Sequence, residues 1–293
     1  MSLSDLLVCY DRTDPGYARL ELAFNLAHAS QAHLVGAYVM PGAHDAPAGA
    51  IGFGPGPPAG MTGLGEEGMV SGVMVSGVLR ETEAAESMEQ HFKSKLRLYG
   101  IEGEWHLLAD GDSAALIELA KSVDLTIAGQ RPTHSPSNGA SRFRPQDIVL
   151  AAGRPVVVVP YAGAFETLGK RILIAWDGTR EATRALHDAL PLFTDPEATV
   201  VFVGSHERDL EQHRPALDRV VYHLQHHGIA ARPEVTLRGS LAVSDILLSR
   251  AADLAVDLIV SGGYHHSPLR EALVGGVGRE LLEHMTVPVL MSH

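Results

Sequence analysis

Short apolar runs alternate with stretches of helical spacing along most of the chain. In the second half, residues 172–175 read as a buried strand and 180–190 as a helix. Residues 199–203 are β-branched and apolar, which predicts another strand. Residues 210–227 place Leu217, Val220, Val221 and Leu224 on one helical face, and Gly228 stands where such a helix should stop. A short strand at 235–237 follows, then a helix carrying Ile246, Leu247, Leu248 and Leu254. A strand at 258–260, a helix through 280–284 and a strand at 287–291 complete the series. The first half has the same order, with helices expected near 17–29, 81–98 and 114–123. Fully apolar strands joined by helices predict a parallel sheet covered on both faces. In such sheets ligands sit beyond the carboxyl ends of the strands, at the point where the winding reverses.

The two halves are one unit written twice. Leu6-Leu7-Val8-Cys9-Tyr10-Asp11 returns about 166 residues later as Arg171-Ile172-Leu173-Ile174-Ala175-Trp176-Asp177. The run from Asp124 to Gly129 returns as that from Asp257 to Gly262, and Arg154-Pro155 with its valines returns as Val287-Pro288-Val289-Leu290-Met291, both with an offset of about 133. The difference, about 33 residues, is extra material in the first half. It lies in the Gly- and Pro-dense stretch from Pro41 to Gly77, read as a long connecting loop or a lid, with an apolar tail at 69–79 able to pack. The expected organisation is a first domain at 1–160 with an insertion at about 42–78, a linker at 161–170 and a second domain at 171–293.

Composition narrows the class. The 293 residues are 45% hydrophobic and 20% charged, as in a globular chain. A net charge of −12 argues against partners that demand a basic footprint, nucleic acid and anionic membrane among them. The one cysteine, Cys9, excludes a disulfide framework and a cysteine zinc site, and fits a reducing compartment. No apolar run reaches the roughly 18 residues of a membrane span. The opening MSLSDLLVCYDRTD has no basic stretch followed by an apolar one, so a cytoplasmic location is expected.

The most informative chemistry lies from Ser261 to Arg270 and then at Gly275-Gly276-Val277-Gly278-Arg279. A glycine ending a strand lets backbone approach a ligand, and glycines opening the next helix leave its first N–H groups free for a phosphate. The same glycines also serve tight turns. No Gly-Lys-Ser/Thr element, nucleophile elbow or HExxH is present, and Ser267 beside His265 and His266 reads as structural. Cys9, inside the first strand, reads as a small buried hydrophobe. His223, His226 and His227 read as solvated surface residues, and a metal at His265, His266 and His284 is the less favoured reading. Neither a catalytic residue nor a metal ligand is assigned.

On these residues the chain resembles the universal stress protein family. The family frame is glycine, two residues, glycine, nine residues, then glycine and a hydroxyl residue. Here Gly262, His265, Gly275 and Gly276 follow it, and the opening strand with Asp177 and the terminal strand at 287–291 extend the match. The resemblance implies two tandem flavodoxin-like units of the adenine nucleotide α-hydrolase kind. Each is a doubly wound parallel five-stranded sheet, and together they form a pseudo-dimer paired through 156–159 and 287–291. It also implies an ATP or AMP site, with any magnesium arriving on the nucleotide. Asp177 would contact the nucleoside, Val203 would line the adenine pocket, and Gly262, His265, Gly275, Gly276 and Val277 would meet ribose and phosphates. His265 stands in place of a glycine, and Gly276 and Gly278 in place of hydroxyl residues; each hydroxyl lost removes a bond worth about 0.5–1.5 kcal/mol.

The first half departs further. Asp11, Val39 and Gly129 fit, but Gln130-Arg131-Pro132 follows, Arg142 and Phe143 replace the phosphate glycines and Gly139 is out of frame. This half therefore reads as a degenerate site that packs against the other. The expectation is a stress-response module that binds an adenine nucleotide in its second domain and acts on an unidentified protein partner through ligand-dependent interaction. The alternatives are a nucleotide-independent dimeric scaffold or interaction protein and a slow adenine-nucleotide hydrolase.

Overall fold

The computed structural model describes residues 3–39, 66–109, 112–131, 144–263 and 276–293. Of the residues singled out above, His265, His266, Ser267, Arg270, Gly275, Gly139, Arg142 and Phe143, with 42–65 of the insertion, lie outside the described residues.

The first unit runs β1 (Asp5–Tyr10), α1 (Asp14–Ser30), β2 (His33–Val39), α2 (Glu66–Tyr99), β3 (Gly103–Leu108), α3 (Ser113–Lys121), β4 (Leu125–Gly129), α4 (Pro145–Ala152) and β5 (Val156–Val159). The second runs β6 (Arg171–Ala175), α5 (Arg180–Ala189), β7 (Glu197–Gly204), α6 (Glu207–His226), β8 (Ala230–Leu237), α7 (Val243–Asp253), β9 (Leu258–Gly262), α8 (Val277–His284) and β10 (Val289–Ser292). All ten strands form one sheet in the order β3-β2-β1-β4-β5-β10-β9-β6-β7-β8. Neighbours are parallel within each unit. Only β5 and β10 run antiparallel, with Val157 opposite Leu290. Corresponding edge strands paired in opposite directions are what a local two-fold relation between the units produces.

The apolar runs go where their pattern requires. Val156 to Val159 alternate between the two sheet faces and are all buried. One core, with Phe24, Phe92, Leu186 and Leu224, lies under α1, α2, α5 and α6. The other, with Leu116, Ile148, Leu247 and Leu281, lies under α3, α4, α7 and α8. Each core draws residues from both units, so the β5–β10 seam sits inside the hydrophobic interior and not at a surface junction.

Three elements differ from the sequence reading. The tail of the 42–78 insertion is not loop: α2 starts at Glu66 and runs unbroken to Tyr99. No proline interrupts the chain after Pro58 until the helix is over, and its glycines cost only about 1 kcal/mol each. Strand β8 starts at Ala230, five residues before its apolar end. It is an edge strand, where Arg232 is exposed, Glu234 is held by Arg250 of α7 (2.6 and 2.8 Å) and Pro233 withholds an N–H. Helix α4 was not anticipated: it is only eight residues long, begun by Pro145 and ended at Gly153 in the left-handed region (φ +63°). Among the described residues no helix is long and apolar enough to cross a membrane.

Candidate functional site

The carboxyl ends of β1 and β6 carry the same device, Asp-x-Thr. Thr13 and Thr179 cap α1 and α5, their side chains accepting the N–H groups of Gly16 and Ala182. In turn one carboxylate oxygen of the aspartate holds the threonine. Asp11 Oδ1 accepts from Thr13 N (3.0 Å) and from its hydroxyl. Asp177 Oδ1 accepts from Thr179 N (3.0 Å) and Oγ1 (2.6 Å). Asp177, singled out for a nucleoside, thus also fixes the start of α5. The threonine partners were legible in the sequence as a second match at the same offset of about 166, and were missed.

The second carboxylate oxygen separates the two units. In the first, Arg19 is buried (5% exposed) and fills the space between Asp11 and Gly129. Its Nη2 lies 3.2 Å from Asp11 Oδ2, and its Nε donates to the Cys9 carbonyl at 2.6 Å. A methyl group on Gly129 would collide with the guanidinium, so the bare strand end serves Arg19. In the second unit Ala185 stands at the corresponding place on α5, too short to reach the strand ends. Asp177 Oδ2 has no partner among the described residues, and the residue is exposed. Helix α5 settles closer instead: a Cβ on Gly262 would lie 2.6 Å from the Ala182 nitrogen. That gives the bareness of Gly262 a packing role in its own right.

The other described candidates lie at the same end of the sheet. Ala175 is level with Val201 on β7 and Ser261 on β9. Asp177, Val203 and Gly263 each follow by two residues, on strands about 4.8 Å apart. Val203 is partly buried against the α7/α8 core. Beyond β9, α8 begins at Gly276, which is exposed, carries no side-chain cap and has nothing within 4 Å of a notional Cβ. Gly278, in the first turn of α8, faces Met291 at the end of β10: a Cβ added there would lie 3.4 Å from its Cε. The opening N–H groups of α8 therefore sit at the carboxyl-end rim two strands from Asp177, with the partial positive charge of a helix start.

Charged side chains at this rim are mostly committed. Arg279 pairs with Glu283 (2.7 Å), and Glu280 accepts the hydroxyl of buried Ser244 (2.7 Å). Arg180, beside Asp177, contacts Glu181 at 3.1 Å while remaining 85% exposed. It is the exposed cation nearest the aspartate in sequence, and its place one residue after the capping threonine was the signal for it.

Of the three histidines singled out at the end of α6, His226 and His227 are exposed and His223 is half-buried. The His223 ring lies 5.1 Å from that of His187 and 4.7 Å from that of His227, and its Nε2 is buried without a partner among the described residues. Burial, then the neighbouring His187, His227 and His226, push its pKa below the usual 6.5. Among the described residues no three His, Cys, Asp or Glu side chains are arranged to hold a metal ion.

The fold and the rim define a class: two doubly wound α/β units joined edge to edge, one strand-end crevice filled by its own arginine and the other lined by an exposed carboxylate. Comparison with known proteins gives the same fold. Residues 169–293 match the model of the universal stress protein family. Over the whole length the fold is similar to that of a universal stress protein from Archaeoglobus fulgidus, with a TM-score of 0.71, 14% identity, and 99% of this chain and 96% of that one covered. A protein described as a putative universal stress protein from Pseudomonas aeruginosa gives 0.60 at 14% identity, with coverage of 99% and 93%. A functionally unknown protein from the same organism gives 0.58 at 14% identity, with 99% and 92%. At such identities the likeness is one of fold. No curated protein sequence matches the chain significantly.

Proposed function

We propose that the chain is a stress-response module whose second unit binds an adenine nucleotide, ATP or AMP, at the carboxyl ends of β6 and β9. The reading rests above all on the contrast at the two aspartates: Asp11 is neutralised by Arg19, whereas Asp177 keeps an oxygen exposed at the rim of the unit that matches the family. Asp177 Oδ2 accepts a ribose hydroxyl in this reading, and Val203 meets the base. The phosphates lie on the backbone of Gly262, His265, Gly275, Gly276 and Val277, with Arg180 within reach as counter-charge. Any magnesium arrives on the phosphates themselves and keeps most of its waters. No catalytic step is assigned; occupancy changes the surface shown to a protein partner.

The test is a thermal-unfolding series with ATP and AMP, with ultraviolet absorbance of nucleotide released from the denatured protein as a second readout. Ligand at about 100 times its Kd adds roughly 2.7 kcal/mol, a shift of several degrees. No shift at millimolar nucleotide removes the proposal. A nucleotide-independent scaffold is the second reading, favoured by the filled first crevice and by the two cores that run across the seam. It is the outcome if neither ligand stabilises the protein.

A further inference from the structure

Gln130 stands at the carboxyl end of β4, one residue past Gly129, and is buried (7% exposed). Its side-chain nitrogen donates to the carbonyls of Leu282 (2.9 Å) and Glu283 (3.1 Å), in the last turn of α8. Its Oε1 accepts the backbone N–H of Tyr161 (3.2 Å), in the segment that joins β5 to β6. A helix leaves its last carbonyls without partners of its own. For α8, a side chain of the other unit supplies them. Both the donor and the acceptor of the amide are used, which is what a buried glutamine requires.

The arrangement is one-sided. In the second unit the corresponding position is Gly263, which has no side chain to offer. The matching helix α4 ends instead on the left-handed Gly153, whose carbonyl accepts from Arg184. The helix that is held is thus the one whose opposite end forms the rim beside Asp177. With eight residues, α8 is about 12 Å long, short enough to move as one body.

We propose that Gln130 is a positioning residue that couples an anion at the start of α8 to the chain at Tyr161 in the first unit's terminal segment. The inference rests on the nucleotide reading and adds its route out of the site. An anion that draws in or steadies the first turn of α8 steadies the Leu282 and Glu283 carbonyls. These hold the Gln130 amide, and the amide holds the Tyr161 N–H. By reciprocity, loosening the clamp weakens the ligand.

Hydrogen exchange on the full chain, with and without magnesium ATP, tests this alongside calorimetric titration. ATP is expected to slow exchange of the Tyr161 amide several-fold in the native protein. Gln130→Ala should abolish that slowing and weaken ATP by about five-fold, the low end of ordinary coupling. Gln130→Glu keeps an acceptor for Tyr161 but loses the donors to α8. It should leave Tyr161 protected yet insensitive to ATP, which a purely structural role would not produce. Heat of binding with unchanged Tyr161 exchange in the native protein overturns the coupling alone. No heat of binding overturns the nucleotide reading, and the coupling with it. The native measurement decides the matter even if Gln130→Ala does not fold.

Discussion

Arg19 and Asp11 form a buried ion pair, 3.2 Å apart with side chains 6% and 9% exposed, across the mouth of the first unit's strand ends. The chain thereby supplies its own cation to an acid whose counterpart, Asp177, is left exposed. One sheet carries two like-built strand ends, one closed by its own arginine and the other left with an exposed acid.

Removing one partner of a buried pair strands the other. Arg19→Ala is expected to cost about 3–5 kcal/mol of stability, because Asp11 loses its counter-charge and the space against Gly129 empties. Urea unfolding of the single variants and of Arg19→Ala with Asp11→Asn measures it. The double variant should lose clearly less than the two single losses added together.

The same change at the second aspartate should act on binding and not on folding. Asp177→Asn keeps an oxygen for Thr179, so the start of α5 survives and stability stays within about 0.5 kcal/mol. A hydrogen bond to a charged group is worth about 1.5–3 kcal/mol, so nucleotide affinity should fall about ten-fold or more. Thermal unfolding and titration of this one variant read the two effects separately.

Acid should weaken the packing of α6 on α5. His223 has a folded-state pKa below its ordinary 6.5, so the unfolded chain takes up that proton first as the pH falls. Its contribution to stability is intact above about pH 6.5 and is lost progressively below it. Facing it on α5, Arg184 and Asp188 pair with each other; His187, His226 and His227 are the neighbours that disfavour its charged form. Unfolding midpoints between pH 5 and 7.5 should fall less steeply for His223→Gln than for the native protein.

Cys9 should be inert until the protein unfolds. Burial pushes its thiol up to about 12 despite the nearby Arg19, so almost no thiolate exists at neutral pH. A chromogenic disulfide reagent at pH 8 should find no thiol in the native state and one per chain in guanidinium. Rapid native reaction would contradict the burial.

Much of this was legible in the chain. The alternation of apolar runs carries the covered parallel sheet and the two offsets carry the repeated unit, because buried parallel strands leave little choice of pattern; the seam at 156–159 and 287–291 was implied by the family resemblance and is what β5 and β10 form. What escaped is instructive. Arg19 shares a helical face with Leu22 and Ala23, both buried, so a wheel of α1 places it on the core side. It was passed over because arginine is usually solvated. Gln130 registered only as a lost glycine motif; its role depends on where α8 ends, and no local pattern encodes that. His223 looked exposed because its burial comes from His187 on another helix.

The central claim is that one crevice of the two accepts an adenine nucleotide. Calorimetric titration of the native chain with magnesium ATP tests it most directly. The account predicts one site per chain, weakened by Asp177→Asn and untouched in number by changes at Asp11. No heat, or two equivalent sites per chain, would contradict it.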